Sequence, residues 1–141
     1  MSQTKNNGRV QIKVEGKSKE RFLKQYDIVY CDLGMGVACE KRGMRPCVVL
    51  GNNIINRTST NIIIAPLTKL ANKRDLSGNV KLLATHVVLS NKFYKQLPFT
   101  SIIQLEDVRS VSKERIAEYV GDLSDRDKEL VKEAQRFVFD I

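Results

Sequence analysis

Residues 40–68 read EKRGMRPCVVLGNNIINRTSTNIIIAPLT, and this stretch decides the predicted fold. Its two apolar runs, residues 47–50 and 61–67, flank a connection rich in Asn, Ser and Thr. This pattern predicts a strand, a connection and a second strand. If the two strands pair antiparallel, the beginning of the first lies beside the end of the second, so that Arg45 and Thr68 become neighbours.

Arg45 and Thr68 form a candidate site for an oxyanion at this edge of the strand pair. A guanidinium donates hydrogen bonds in a fork that matches a phosphate, and a hydroxyl can donate another. Lys41 and Arg42, just before the first strand, add positive charge. The arrangement predicts a phosphate site that needs no metal ion. The alternative is that Arg45 and Thr68 only end their strands.

The same stretch resembles the MazF/PemK toxin ribonucleases, which are the nuclease halves of bacterial toxin–antitoxin pairs. The resemblance is carried by RGMRPCVVLGNNIINR (42–57) and IIAPLT (63–68). Further segments follow in the order of the family: DIVYCDLG (27–34), Glu40, THVVL (85–89), LEDVR (105–109) and GDLSD (121–125). The ordered set covers roughly residues 26–137.

The resemblance implies an α+β, mainly β fold, a small SH3-like antiparallel barrel or sheet with a C-terminal helix. It also implies sequence-specific, metal-independent cleavage of single-stranded RNA, in which the 2'-hydroxyl attacks and leaves a 2',3'-cyclic phosphate and a 5'-hydroxyl. Arg45 matches the catalytic arginine of the family, and Thr68 matches its catalytic threonine. Glu40 is the nearest candidate base, or equally a residue that orients Arg42 or Arg45. No cofactor is implied.

Five residues are candidate contacts to the RNA strand: Lys41, Arg42, Asn56, Arg57 and His86. For Asn56 and Arg57 the alternative is turn chemistry in the connection. His86 is the only histidine, so a ribonuclease with two acid/base histidines is excluded. A lone histidine can also be purely structural.

The formal net charge of +8 is unevenly distributed. Residues 1–25 carry seven Lys/Arg against two Glu, and residues 26–111 carry eleven against six acidic residues, whereas residues 112–141 carry six against eight. Such a positive field favours a polyanion, although many basic domains bind no nucleic acid. The lysine-rich residues 1–25 predict a basic, flexible arm that either contacts RNA or only solubilises the chain. Residues 26–141 are then the toxin-like domain.

Length and composition favour one domain without a membrane segment. The 141 residues are 42% hydrophobic, enough for one core. Neither a membrane-length apolar run nor a signal peptide is present in the sequence, so we expect a cytoplasmic protein. Cys31, Cys39 and Cys47 form no CxxC pair, and we therefore predict buried or half-buried thiols, with neither a disulfide framework nor a metal site.

The resemblance further implies a homodimer whose RNA groove crosses the interface, and an acidic, MazE-like antitoxin that occupies the same groove. Two other functions stay open on the same fold. One is a non-enzymatic, gyrase-inhibiting toxin of the CcdB kind. The other is a degenerate toxin that only binds RNA or antitoxin, suggested by Asp107 and by the unusual residues Met35, Ala38 and Cys39 in the loop before Glu40.

The rest of the chain predicts more strands and one clear helix. Apolar runs predict strands over 27–33, 85–89, 101–105, 108–111 and 116–123. Residues 69–84 form a long basic connection with a turn near Ser77–Gly78. After Ser124, a credible N-cap, a helix begins whose apolar face consists of Leu130, Ala134, Phe137 and Val138.

Overall fold

A computed structural model describes residues 8–34 and 43–141 of the chain. The expectations for the loop before Glu40, and for Glu40, Lys41 and Arg42 themselves, lie outside these residues. The helices are α1 Asn53–Thr58 and α2 Asp125–Phe139. The strands are β1 Val10–Val14, β2 Lys17–Arg21, β3 Asp27–Asp32, β4 Met44–Val49, β5 Asn61–Lys69, β6 His86–Leu89, β7 Ser101–Gln104, β8 Arg109–Ser112 and β9 Ile116–Asp122.

The strands form one sheet in the order β2-β1-β9-β3-β4-β5-β7-β6, and β8 pairs with β5 beside this path. The α+β, mainly β class with a C-terminal helix is therefore confirmed. All pairs are antiparallel except that of β1 with β9, which is parallel. In the described part of the chain the sheet ends at β2 and β6 and does not close into a barrel.

The prediction of a flexible arm over residues 1–25 is wrong for the part that forms strands β1 and β2, Val10–Val14 and Lys17–Arg21. Strands β1 and β2 form a hairpin, and β1 continues the sheet by pairing with β9. Val10 and Ile12 of β1 are buried, as is Leu23 after β2. Strand β2, KSKER, has no apolar residue and forms because it pairs with β1 along its whole length. Residues 1–7 lie outside the described ranges.

The connection between β4 and β5 contains helix α1 rather than only turns. Asn52 is its N-cap, because its side-chain oxygen accepts a hydrogen bond from the amide of Ile55 at 2.9 Å. Strands β4 and β5 pair antiparallel, with Cys47 opposite Pro66 and Val49 opposite Ile64. The strand–connection–strand prediction is confirmed, and both strands extend beyond the apolar runs.

The sheet buries residues on both faces. Alternation along the central strands sends Val29 and Cys47 to one face, and Ile28 and Val48 to the other. The two faces belong to separate apolar clusters. Helix α2 covers the face that contains Ile28 and Val48, and its Val131 is buried there. Residues of β3 and β4 are buried in both clusters, and this burial on both faces fixes the position of β4, the strand that carries Arg45.

Helix α2 packs on the sheet, but not with the whole face that was predicted. Ala134 is buried, and Leu130 and Val138 pack against the core. Phe137 is 66% exposed, so its assignment to the core was wrong. Val131, which is fully buried, takes the central position instead.

The long connection after β5 contains the predicted turn. A short 3-10 turn over Leu70–Lys73 leads into it. The carboxylate of Asp75 then accepts hydrogen bonds from the amides of Ser77 and Asn79, at 2.9 and 3.0 Å. Gly78 has a φ of +84°, the left-handed conformation that glycine adopts without strain.

Candidate active site

Arg45 and Thr68 lie on neighbouring strands. The register that places Cys47 opposite Pro66 puts Arg45 opposite Thr68 when it is continued by two residues along each strand. A hydrogen bond ties the two strand ends together: Nη1 of Arg45 donates to the carbonyl oxygen of Leu67 at 2.9 Å. The antiparallel pairing therefore brings the two residues together, as the sequence predicted. Their role on a phosphate stays a prediction.

The two side chains differ in exposure. Arg45 is half-buried, whereas Thr68 is only 8% exposed. One of the five N–H groups of Arg45 donates to Leu67, and this hydrogen bond helps to orient the guanidinium. A half-buried guanidinium beside a nearly buried hydroxyl can hold an anion at the end of β5.

Two further arginines contribute to the positive potential at this end of the sheet. Strand β8 pairs with β5 so that Arg109 lies opposite Ile64. The positive charge of Arg109 works to lower the pKa of both buried thiols. Arg115 has the same effect at Cys31, and Arg45 has it at Cys47. Sequence reasoning did not nominate Arg109 as a site residue, although it ends the LEDVR segment of the resemblance.

The thiols of Cys31 and Cys47 are not candidate nucleophiles. Both are free and fully buried in the apolar cluster next to Arg45. The hydrogen bond with Cys31 and burial raise the pKa of the Cys47 thiol well above its usual range, and the nearby Arg45 and Arg109 only partly oppose this. The prediction of buried thiols is confirmed for these two residues. Cys39 lies outside the described residues.

Asn56 and Arg57 both lie in helix α1, in the connection between β4 and β5. Asn56 is buried, and its side-chain amide donates to the carbonyl oxygen of Gly51 at 2.7 Å, so it stabilises the connection from within a helix and not from a turn. Arg57 is exposed, and its guanidinium lies 4.6 Å from the centre of the Phe22 ring. Arg9 covers the same ring at 4.8 Å. A contact to RNA from Arg57 stays a prediction, whereas Asn56 has no access to a bound strand.

His86 belongs to a hydrogen-bond network beneath the long connection. Its Nδ1 accepts from the amide of Leu83 at 3.1 Å, which assigns the ring proton to Nε2. Nε2 lies 2.9 Å from Glu106, and the hydroxyl of Thr85 donates to the same carboxylate at 2.8 Å. Burial raises the pKa of Glu106, but the hydrogen bonds from His86 and Thr85 leave it below its usual value. With only 2% of its side chain exposed, His86 fits the structural alternative.

The other chemistry-bearing features do not compete with this site. A cavity of about 800 Å³ lies elsewhere, lined by Tyr94, Asp122 and Asp127 among others, and its carboxylates disfavour a phosphate. No three His, Cys, Asp or Glu side chains within residues 8–34 and 43–141 are arranged to hold a metal ion. Over the same residues, no helix is long and apolar enough to cross a membrane.

A family model described as "PemK-like, MazF-like toxin of type II toxin-antitoxin system" matches residues 24–139. The chain belongs to this family. The predicted resemblance is thereby confirmed, and the matched range begins just after the β1–β2 hairpin.

Relatives of this MazF-like chain agree with the assignment. Endoribonuclease EndoA of Bacillus subtilis is 33% identical over 113 residues, which are 80% of this chain and 90% of EndoA. MazF from Deinococcus radiodurans has the same fold, with a TM-score of 0.67 at 16% identity over 86% of this chain and 99% of that one. An endoribonuclease in complex with its cognate antitoxin, from Mycobacterial species, aligns with a TM-score of 0.64 at 17% identity, over 84% and 96% of the two chains.

Proposed function

We propose that this chain is a sequence-specific endoribonuclease toxin that cleaves single-stranded RNA without a metal ion. The observation that carries the proposal is the juxtaposition of Arg45 and Thr68 at the ends of β4 and β5, tied by the hydrogen bond to Leu67. Family membership and the name of its relative EndoA support RNA cleavage.

RNA supplies its own nucleophile, so the enzyme must align groups and balance charge. The 2'-hydroxyl attacks the adjacent phosphorus, the bond to the 5'-oxygen breaks, and a 2',3'-cyclic phosphate and a 5'-hydroxyl remain. Arg45 stabilises the additional negative charge on the phosphorane oxygens and can donate a proton to the leaving oxygen. A guanidinium keeps its protons at physiological pH and is therefore a poor base.

Thr68 and the residues before β4 complete the proposed chemistry. The Thr68 hydroxyl donates a hydrogen bond to a non-bridging oxygen of the scissile phosphate. Glu40 accepts the proton of the 2'-hydroxyl; in the alternative it orients Arg42 or Arg45, and water accepts that proton. Lys41 and Arg42 contact the strand. The positive potential of Arg109 would strengthen the attraction of the phosphate.

The proposed partners follow from charge and from the related structures. One relative is described as an endoribonuclease with its cognate antitoxin, and another as a MazE–MazF complex from Deinococcus radiodurans. We infer that an acidic antitoxin binds this chain and competes for the field that attracts RNA. We also infer a cytoplasmic homodimer. The exposed Val88 on edge strand β6 and the exposed Phe137 beside it offer apolar surface to a second copy.

The test is to map the 5' ends that the purified protein generates from a long unstructured RNA. We expect 5'-hydroxyl ends at one short sequence, unchanged by a chelator, and their loss in Arg45→Ala. Arg74→Ala is the matched control, since Arg74 is an exposed arginine of the long connection. Cleavage by Arg45→Ala at the rate of the wild type would refute the assignment. Intact RNA together with trapped DNA breaks would favour the gyrase-inhibiting alternative, and tight RNA binding without cut ends would favour the binder.

A further inference from the structure

An exposed aromatic ring lies beside the end of β5. Phe99 is 47% exposed, and the ammonium of Lys69 lies 3.9 Å from the centre of its ring. Lys69 directly follows Thr68, and it pairs with Ser101 of β7, two residues after Phe99. The cation and the ring therefore meet at the end of the strand that carries the proposed catalytic hydroxyl.

Hydrogen bonds fix the backbone at Phe99 and at Thr100, the residue that follows it. Ser101 donates its hydroxyl to the carbonyl oxygen of Phe99 at 2.9 Å. The carbonyl oxygen of Thr100 accepts a hydrogen bond from the amide of Leu70 at 3.0 Å. The hydroxyl of Thr100 donates a hydrogen bond to the side-chain oxygen of Asn91 at 3.0 Å. A backbone that is fixed before binding loses little conformational freedom when a ligand arrives, which favours a recognition role for the ring that it carries.

We propose that Phe99 and Lys69 form a nucleotide subsite next to Thr68. The Phe99 ring stacks on a base that neighbours the scissile phosphate, and Lys69 contacts the phosphate of that nucleotide. Every base has a π-face, so stacking holds the strand with little sequence preference. The inference rests on the proposed function, because it assigns a second contact of the same RNA strand.

The geometry at the strand end allows one RNA strand to reach both groups. Successive side chains of a strand point to opposite faces, so Thr68 and Lys69 flank the end of β5 from its two sides. A single strand that crosses this end can place its phosphate at Thr68 and the next base on Phe99. The alternative is a surface cation–π pair that only stabilises the fold.

The experiment uses the full chain and an RNA that carries its mapped cleavage sequence. The RNA has a 2'-deoxy sugar at the cut position, so it binds without reacting, and 2-aminopurine at the neighbouring position. We expect binding to quench the fluorescence, and Phe99→Leu to remove the quenching and raise Kd by about 5- to 150-fold. Phe99→Tyr should restore both. Phe93→Leu is the matched control, since Phe93 is an 84% exposed ring in the cavity beside Tyr94.

The phosphate contact of Lys69 is tested separately, by the salt dependence of RNA binding. Replacing it by Met should lower the slope of log Kd against log salt by about 0.7, the value for one phosphate contact on a single strand. Lys132→Met, which removes a lysine paired with Glu129 on α2, should leave the slope unchanged.

Each outcome decides between the subsite and the proposed function. If the wild type cuts RNA and needs Arg45, but Phe99→Leu and Phe99→Tyr both bind and quench like the wild type, the subsite is refuted and the proposed function stands. The same follows if Phe99→Leu changes only the thermal unfolding midpoint. If the wild type neither cuts nor binds any RNA, the proposed function fails and the subsite with it.

Discussion

Replacing Thr68 by valine tests the hydroxyl of the proposed site with little disturbance of the fold. Valine has the shape of threonine without the hydroxyl and is favoured in strands. Thr68 is 8% exposed and pairs with Ile102 in β7, so an apolar side chain of the same size fits its surroundings. We therefore expect the thermal unfolding midpoint to stay close to that of the wild type.

The expected effect on cleavage follows from the loss of one hydrogen-bond donor to the phosphorane. Removing such a donor from an oxyanion site costs about 2.7–4 kcal/mol of transition-state stabilisation, or about a hundred- to thousandfold in rate. The near burial of Thr68 places this donor away from bulk water, where a hydrogen bond to a charge is worth most. The loss should appear in the rate of the chemical step, and substrate affinity should change much less.

The assay is single-turnover cleavage of a short RNA that carries the mapped sequence, with thermal unfolding measured on the same preparations. Thr60→Val is the matched control, because Thr60 is an exposed threonine just before the other end of β5. A Thr68→Val protein that folds and cleaves at the rate of the wild type would refute the role of the hydroxyl. An equal loss in Thr60→Val would show that the strand, and not the hydroxyl, is responsible.

Three further predictions follow from the described contacts. Arg45→Lys keeps the positive charge but loses the planar guanidinium, which donates to Leu67 and is proposed to bind the phosphate at the same time. The rate of single-turnover cleavage should therefore fall at least about 100-fold. Glu106→Gln should lower the free energy of unfolding at neutral pH. Because hydrogen bonds hold the folded-state pKa of Glu106 below its usual value of 4.5, the difference from the wild type should vanish as pH falls through that lowered pKa in urea titrations. Val131→Ala, at a fully buried position, should cost about 2 kcal/mol in the same titrations, whereas Phe137→Ala should stay within about 0.5 kcal/mol.

The pairing of Arg45 with Thr68 was predictable because local signals and tertiary packing agree there. Two continuous apolar runs with a polar connection favour an antiparallel pair, and such a pair fixes which ends meet. Ser124 was equally predictable as an N-cap, and its hydroxyl accepts from the amide of Asp127 at 3.2 Å. Each of these features depends on residues close together along the sequence or on one strand register.

The errors arose where distant partners decide the structure. Strand β2 has no apolar residue, so its sequence resembles a solvated arm, and only the ladder to β1 makes it a strand. Helix α2 presented two overlapping apolar stripes, and the sheet packs on the one that contains Val131 instead of Phe137. For His86, the hydrogen bonds to Leu83 and Glu106 at its two ring nitrogens favour the structural alternative, and a substrate contact stays a prediction.

Strand β5 positions every described group of the proposed site. Its first half pairs with β8 up to Ile64 opposite Arg109, and its second half pairs with β7 from Leu67 opposite Ile103. The change of partner falls at Pro66, which has no N–H to donate to a ladder, so the strand can leave one neighbour and join another there. On its other side β5 pairs with β4 from Ile64 to Pro66.

Because β5 changes partner, four separate segments place groups along it between Ile64 and its end. Strand β4 brings Arg45, β8 brings Arg109, and the segment before β7 brings Phe99, while β5 itself carries Thr68. The end of β5 pairs with β7, and from the side of β4 the Arg45 side chain donates to Leu67, so this end has little freedom to move. A hydroxyl on such an element is held in one geometry before the substrate arrives, which electrostatic stabilisation of a phosphorane requires.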